Sequence, residues 1–196
     1  MYLCLMSQIG NNQDEQAVQG REDADGWLGW SIWDKQDTRQ KILMAAFREI
    51  HRYGYQASSI QSIITQAGVT KGALYHHFES KHQMAVALIE EVHFEYVEHT
   101  FIRPMATTRD PISVLIDTLY SLEERMTDEM VALGCPLDSL AQEMAPVDQD
   151  IQQCIERLYQ RKQRKLVEAF QRGQAAGTVK ADIAAESIAL LIMASL

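Results

Sequence analysis

The sequence lacks any apolar run long enough to cross a membrane as a helix, which takes about 20 residues. Its most apolar stretch, residues 183–196, is interrupted by Glu186. Residues 1–9 have neither the basic start nor the apolar length of a signal peptide. We therefore expect a cytoplasmic protein that has no membrane partner.

Cysteine is scarce, and Cys4, Cys135 and Cys154 lie at no CxxC or Cys/His ligand spacing. An odd number without ligand spacing excludes a disulfide framework and a structural zinc site. No nucleophile and base pair or phosphate-binding glycine loop stands out, so we expect no enzyme, no metal and no cofactor. Cys135 leaves two hypotheses open, a small buried residue or an oxidant- or electrophile-sensing thiol whose pKa a helix N-terminus lowers.

Basic residues are few, since 18 Lys and Arg stand against 27 Asp and Glu in 196 residues, a net charge of -9. An evenly acidic surface would repel nucleic acid. The charge is uneven, however: it is -4 in residues 1–36 (6 acids, 2 bases), +3 in 37–82 (3 acids, 6 bases) and -8 in 83–196 (18 acids, 10 bases). We interpret the three segments as a flexible arm (1–36), a compact basic module whose charge suits DNA binding (37–82) and an acidic C-terminal domain (83–196).

Three short helices are predicted in the basic segment. Apolar residues at helical spacing predict a first helix over residues 38–54. Ser58 and Gln61 form a capping box for a second helix, which Gly68 ends. Thr70 is a suitable N-cap for the third. A connection of three or four residues that contains a glycine is the spacing of a helix-turn-helix.

The third helix is predicted to have a buried side and a side of small or polar residues. At 100° per residue, Leu74 and Phe78 define the buried side, whereas Gly72, Ala73 and His76 point outward. Small outward residues let the helix backbone approach base edges in a major groove about 12 Å wide. This pattern favours DNA recognition by the third helix.

The residues of this segment also resemble a known family. Residues 38–92 contain Tyr-Gly-Tyr at the end of the first helix, Ala-Gly-Val-Thr-Lys-Gly at the turn, Leu-Tyr-His-His-Phe on the third helix and Ser-Lys before the fourth. This stretch is similar to the DNA-binding domain of the tetracycline-repressor (TetR) family of bacterial transcription regulators. The resemblance covers about a quarter of the chain, and beyond it only the helical pattern and Gly-Cys-Pro-Leu at 134–137 are shared.

Contacts to phosphates and bases are expected from this segment. Lysines beside the third helix, a tyrosine hydroxyl and helix N-termini suit phosphates, while an alanine methyl and a histidine suit base edges. The predicted DNA-binding residues are Thr38, Arg39, Ser59, Thr70, Lys71, Gly72, Ala73, Tyr75, His76, His77 and Lys81. The resemblance implies similar roles for Thr70, Lys71, Gly72, Ala73, Tyr75, His76 and Lys81.

The rest of the chain is predicted to be helical, which makes the fold all-α. Ser80 caps a fourth helix that Pro104 ends, Asp110 caps a fifth, and two more cover residues 147–173 and 181–196. The resemblance implies dimerisation and binding of a small effector, although core packing explains the apolar residues of the last two helices equally well. Flexible methionines and aromatic residues suit an effector pocket. Its expected lining is Phe101, Tyr120, Met126, Met130, Cys135, Leu137 and Met144.

The sequence therefore predicts a homodimeric transcription regulator, a repressor that a small-molecule effector releases from a double-stranded DNA operator. The alternative is a helical small-molecule receptor or interaction module that does not bind DNA. The family pattern continues for one further helix beyond residue 196, so we expect the C-terminal domain to be truncated.

Overall fold

The computed structural model describes residues 37–195, and the predicted N-terminal arm lies outside the described residues. All regular structure in this range is helical, which confirms the all-α fold. Across residues 37–195, no helix is both long and apolar enough to span a membrane. The helices are α1 Thr38–Tyr53, α2 Ile60–Ala67, α3 Lys71–His77, α4 81–105, α5 Pro111–Glu123, α6 Asp128–Leu133, α7 Pro136–Met144, α8 Gln149–Ala176 and α9 Ala185–Ser195.

Side-chain caps define the first three helices. The Asp37 carboxylate accepts from Gln40 N at 2.8 Å and opens α1, and Thr70 Oγ1 accepts from Ala73 N at 3.1 Å and opens α3. The predicted cap of α2 was wrong by one residue. Ser59 caps α2, because Ser58 is buried and its hydroxyl donates to Tyr55 O at 2.7 Å.

A buried carboxylate fixes α2 against α1. Glu49 of α1 is only 4% exposed. It accepts hydrogen bonds from Ser59 N at 3.0 Å, Ser62 Oγ at 2.6 Å and Gln66 Nε2 at 2.8 Å. Three donors compensate the desolvation of this charge. Since α3 follows α2 after a short turn, Glu49 also determines where α3 is placed.

Helix α4 connects the helix-turn-helix to the rest of the chain. α-Helical pieces alternate in it with π-helical turns, and its five consecutive pieces are Lys81–Ala87, Leu88–His93, Phe94–Val97, Glu98–Ile102 and Arg103–Met105. Pro104 does not end the helix as predicted. The helix continues through Met105, and Ala106 N still donates to Arg103 O at 3.1 Å.

The C-terminal helices also differ from the predicted bounds. Helix α8 runs three residues beyond the predicted end and stops at Gly177, whose φ of 79° is the left-handed conformation that glycine favours. Helix α9 begins at Ala185, four residues later than predicted. The short helix α6 was not predicted. Its N-cap Thr127 accepts from Met130 N at 3.2 Å.

The apolar core consists of two clusters. The larger one is continuous from α1, α2 and α3 through α4 into α7 and the first half of α8. The smaller one joins α5, α9 and the second half of α8 around Phe170, which is fully buried. The predicted domain boundary at residue 82 stays a prediction. Residues before and after this boundary both contribute to the larger core.

A buried histidine lies in the larger cluster. His93 of α4 is 3% exposed, and its ring centroid is 5.6 Å from that of Phe47 on α1. Burial, with a smaller contribution from the positive charge of a protonated His51, lowers the pKa of His93 from 6.5 to about 3. The folded protein therefore holds this imidazole in its neutral form at neutral pH.

We expect the free energy of unfolding to fall as the pH drops below about 6.5, by up to about 1.4 kcal/mol per pH unit from His93 alone. The unfolded chain binds a proton near pH 6.5, but the folded chain does so only near pH 3. Urea unfolding between about pH 7.5 and 5 measures this slope. His93→Phe and His93→Gln should flatten it, whereas His76→Gln, on the exposed face of α3, should not. Equal slopes in the wild type and both His93 variants would contradict the expectation.

Removal of the Glu49 carboxylate should destabilise the protein by about 2 kcal/mol, because Glu49→Ala empties a buried position and leaves three donors of α2 and its N-cap without their acceptor. Glu186→Ala removes an exposed carboxylate from α9 and is the control, with an expected change within about 0.5 kcal/mol. Urea unfolding of the three proteins measures both effects. Similar midpoints for the two variants would show that Glu49 does not fix α2.

Candidate functional site

The outer face of α3 is accessible along its length. Lys71, Gly72, Tyr75 and His76 are exposed, whereas Leu74 is buried against the core. Tyr75 is 44% exposed, and its ring centroid lies 5.9 Å from the Lys71 ammonium. Two polar side chains with hydrogen-bonding groups therefore project from one exposed helix face.

Two further residues of α3 are partly covered, namely Ala73 and His77. At Gly72 a Cβ atom would meet only Thr70 Oγ1, at 3.9 Å. Contacts within the described residues thus leave room for a side chain at Gly72. Because Gly72 has no side chain, another molecule can approach the helix backbone closely at this position.

Two residues that were predicted to contact DNA bind other groups within the protein. The Arg39 guanidinium forms an ion pair with Glu91 of α4 and lies 4.7 Å from the Phe78 ring centroid. The Lys81 ammonium donates to Ser58 O at 2.6 Å and Gln56 O at 3.3 Å. Both cations hold the helix-turn-helix together.

The remaining predicted residues lie at helix N-termini. Thr38 is the first residue of α1 and is partly buried. The hydroxyl groups of Ser59 and Thr70 accept from backbone N–H groups in the first turns of α2 and α3. Each capping hydroxyl keeps its own proton for donation to another acceptor. The DNA contacts of these residues stay predictions.

Polar contacts join the helix-turn-helix to α7. The Glu143 carboxylate accepts from Tyr55 N at 2.6 Å and Gln56 N at 2.8 Å, in the turn after α1. Gly54 has a φ of 80°, and a Cβ there would lie 2.9 Å from Glu143 Oε2. At the other end of α7, His51 Nε2 donates to Gly134 O at 2.9 Å. Sequence spacing gives no signal for these contacts, because the partners are more than 80 residues apart.

One group of side chains in the described range has the composition of a metal site. His82, Asp148 and Asp150 offer ligand atoms within 4.8 Å of one another. His82 and the two aspartates lie at the N-termini of α4 and α8, whose positive ends disfavour a bound cation. The pKa of Asp148 is lowered mainly by a hydrogen bond from Ile151 N. We interpret the 3.0 Å contact between His82 and Asp148 as a link between the helices.

The residues predicted to line an effector pocket are divided between the core and the surface, and their role stays a prediction. Four of them are buried, Cys135 is partly buried, and Tyr120 and Met126 are exposed. Met144 faces the helix-turn-helix, where its sulfur accepts from Gln56 Nε2 at 3.4 Å. The helix that contains Tyr120 ends at Glu123, which leaves Met126 outside the helical packing.

A cleft of about 520 Å³ lies elsewhere, between the end of α4 and α5, and none of the seven predicted residues lines it. Seven of its nine lining residues have polar or charged side chains. Its lining residues are His99, Thr100, Pro104, Val114, Asp117, Thr118, Ser121, Glu124 and Arg125. Hydrophobic periodicity could not identify this cleft. Threonine, serine and charged residues on α4 and α5 have the pattern that is typical of a solvent-exposed surface.

The structure contradicts the lowered thiol pKa that the sensing hypothesis for Cys135 requires. Cys135 is the N-cap of α7, but burial and the nearby Asp138 carboxylate raise its pKa. Backbone hydrogen bonds from the first turn of α7 oppose this shift but do not reverse it. The thiol is therefore neutral at physiological pH, which favours the other hypothesis, a small buried residue.

Two family models match the chain. Residues 42–88 match "Bacterial regulatory proteins, tetR family", and residues 111–196 match "Tetracyclin repressor-like, C-terminal domain". The first match covers the helix-turn-helix and the start of α4. The second covers α5 to α9. Both halves of the structure therefore match models of one family, not the helix-turn-helix alone.

Individual proteins agree with these matches. A transcriptional regulator of the helix-turn-helix type from Lactococcus lactis is 26% identical over 137 residues, 70% of each chain. The repressor DhaR from Mycobacterium sp. is 23% identical over 157 residues, 80% of this chain and 77% of that protein. The solved structure of the regulatory protein TetR from Rhodobacter sphaeroides superposes with a TM-score of 0.68 at 25% identity, covering 80% of this chain and 83% of that one. The chain belongs to the TetR family of DNA-binding transcriptional regulators.

Proposed function

We propose that this regulator is a homodimeric, sequence-specific repressor that a small-molecule effector releases from its operator. The exposed face of α3, with Lys71, Gly72, Tyr75 and His76, carries the proposal. One relative, DhaR, is named as a repressor, which supports repression as the direction of regulation. No catalytic role is assigned to any residue.

In this proposal α3 of each subunit enters a major groove. Gly72 permits close approach of the backbone, Ala73 contacts a thymine methyl group, and His76 contacts a base edge. Lys71 and Tyr75 bind phosphates, which fix the position of the helix on the duplex. A dimer of such helices requires two half-sites separated by about one helical turn or a multiple of it.

Helices α8 and α9 are the proposed dimer interface. They pack along each other around Phe170 and Ala189, both fully buried. The outer side of α9 leaves Leu190 and Leu191 about two-thirds exposed, at 60% and 67%. Large apolar side chains in this position favour packing against a second copy in a four-helix arrangement.

The contacts of α7 give the proposed route from effector to DNA. Glu143 and the carbonyl of Gly134 hold the turn after α1 and the end of α1, respectively. Any effector that shifts α7 relative to α1 must break or displace these hydrogen bonds. Since packed interfaces adopt discrete arrangements, a small shift of this kind moves α3 out of register with its half-site.

The double variant Lys71→Ala, Tyr75→Ala should weaken binding to the upstream DNA of its own gene by about tenfold or more, because it removes two phosphate contacts from each subunit. Fluorescence anisotropy at several salt concentrations measures the affinity and its salt dependence. The salt slope should also decrease. The matched control Tyr53→Ala, Lys180→Ala removes the same residue types from exposed positions outside α3.

Equal operator affinity for the double variant and the wild type would contradict the proposed DNA interface. Loss of affinity in the control as well would show that the effect is not specific to α3. Circular dichroism confirms that each variant keeps its helical content, and this separates lost contacts from lost folding.

Glu143→Gln should loosen the turn after α1 and lower operator affinity by about tenfold, since charge-assisted hydrogen bonds to Tyr55 N and Gln56 N are about twice as strong as neutral ones. Hydrogen exchange followed by mass spectrometry should show faster exchange at these two amides. Glu156→Gln, on the exposed side of α8, is the control. Unchanged exchange in Glu143→Gln would exclude Glu143 from the coupling route.

A further inference from the structure

Helix α3 is anchored to the protein by few side chains. Within residues 70–78, only Leu74 and Phe78 are buried, each to 1% exposure. Phe78 is the C-cap residue of α3, and its N–H donates to Leu74 O at 2.9 Å. A helix of seven residues is not stable by itself, so its direction depends on the packing of these two side chains.

The side chain of Arg39 on α1 covers the ring of Phe78. The guanidinium carbon Cζ lies 4.7 Å from the ring centroid. A guanidinium is planar and cationic, so it stacks on an aromatic face and is attracted by it. Arg39 therefore contacts the C-terminal end of α3, whereas Thr70 caps the N-terminal end.

A glutamate of α4 holds this guanidinium in place. Glu91 forms an ion pair with Arg39, and their side chains are 42% and 35% exposed, respectively. Glu91 belongs to the first π-helical turn of α4, Leu88–His93, in which four of the six residues are buried. An ion pair with this exposure adds little to stability. Its effect is to fix the orientation of the guanidinium relative to the buried turn.

The same ion pair makes Arg39 a weak ligand for a phosphate. A phosphate that approaches the guanidinium also approaches the Glu91 carboxylate, and the repulsion between the two anions offsets the attraction to the cation. Lys71 differs, because it is exposed at the N-terminus of α3 beside the ring of Tyr75.

We propose that Arg39 is a positioning residue for operator binding. It holds the C-terminal end of α3 through Phe78, in an orientation that Glu91 of α4 sets, and it does not bind a phosphate itself. This inference rests on the proposed function, in which α3 contacts the DNA. It gives an acidic residue, Glu91, a favourable effect on the binding of a polyanion.

The variant Glu91→Gln distinguishes the two possible roles of Arg39. If Arg39 positions α3, operator affinity should fall by about threefold to fivefold, the range that corresponds to loss of an exposed ion pair. If Arg39 binds a phosphate, loss of the Glu91 charge should instead raise the affinity. Glu90→Gln is the matched control and should leave the affinity unchanged, because Glu90 lies in the same turn but pairs with Arg157 of α8, at 2.9 Å.

Variants of Arg39 give a second test. Arg39→Gln should weaken operator binding by the same factor as Glu91→Gln, and the combination of both should cause no further loss, since each removes the same contact. Arg39→Lys keeps the charge but loses the planar stack on Phe78, so it should also weaken binding.

Fluorescence anisotropy at several salt concentrations measures these affinities in the full-length protein. The slope of log affinity against log salt concentration should keep its wild-type value in the Arg39 variants, because each phosphate contact that is lost would reduce it by about 0.9. Hydrogen exchange measured by NMR should become faster at Phe78 N–H in Glu91→Gln but not at Ala73 N–H, which the Thr70 cap holds. Circular dichroism identifies a temperature at which every variant is folded.

Two results would overturn the inference. One is an operator affinity of Glu91→Gln that equals or exceeds that of the wild type. The other is a reduced salt slope in Arg39→Gln together with wild-type affinity in Arg39→Lys, since a phosphate contact requires only the charge.

The variant Lys71→Ala, Tyr75→Ala separates this inference from the proposed function. If it loses operator affinity and Glu91→Gln does not, the DNA interface on α3 stands and the positioning role of Arg39 fails. If Glu91→Gln loses affinity and the double variant does not, the proposed interface fails. The statement that Arg39 acts through α3 fails with it.

Discussion

The buried carboxylate of Glu49 is the constraint on which the DNA-binding surface depends. A charge that is 4% exposed is stable only if its desolvation is offset, and the three donors of Ser59, Ser62 and Gln66 do this. All three donors belong to α2 or its N-cap. Their geometry fixes the angle of α2 on α1 and, through the short turn at Gly68, the direction in which α3 faces outward. Neutral apolar packing alone would hold α2 with less directional specificity.

The continuity of the core explains how events in the C-terminal half reach α3. Helix α4 contributes to the same apolar cluster as α1, α7 and the first half of α8. Side chains in such a cluster are close-packed, so a helix cannot shift alone. The hydrogen bonds from Tyr55 and Gln56 to Glu143 add directional contacts at the point where this core meets the turn after α1. In the proposed coupling, a shift of α7 therefore moves the DNA-binding helices and is not absorbed within the C-terminal half.

Local signals were sufficient to predict most of the helices, although not α6, and the outer face of α3. Caps such as Asp37, Thr70 and Ser80 act on N–H groups three residues away, so sequence spacing reveals them. Glu49 and Glu143 could not be assigned in this way, because the orientation of a charged side chain depends on helices that are distant in sequence. The effector residues were chosen by apolar character alone, and their role stays a prediction. Methionine and aromatic residues predict apolar burial, and the structure uses most of them as core.

The charge pattern needs a similar correction. The segment 37–82 carries six bases, but Arg39 is paired with Glu91, Arg52 lies 3.4 Å from Glu129, and the Lys81 ammonium donates to two backbone carbonyls. At least half of the basic side chains that indicated DNA binding are therefore engaged in the protein's own structure. A diffuse positive field over the segment is weaker than the count of +3 suggests. Affinity for DNA must then depend more on contacts made by α3 itself, where Lys71 lies at the N-terminus of the helix and reinforces its positive end.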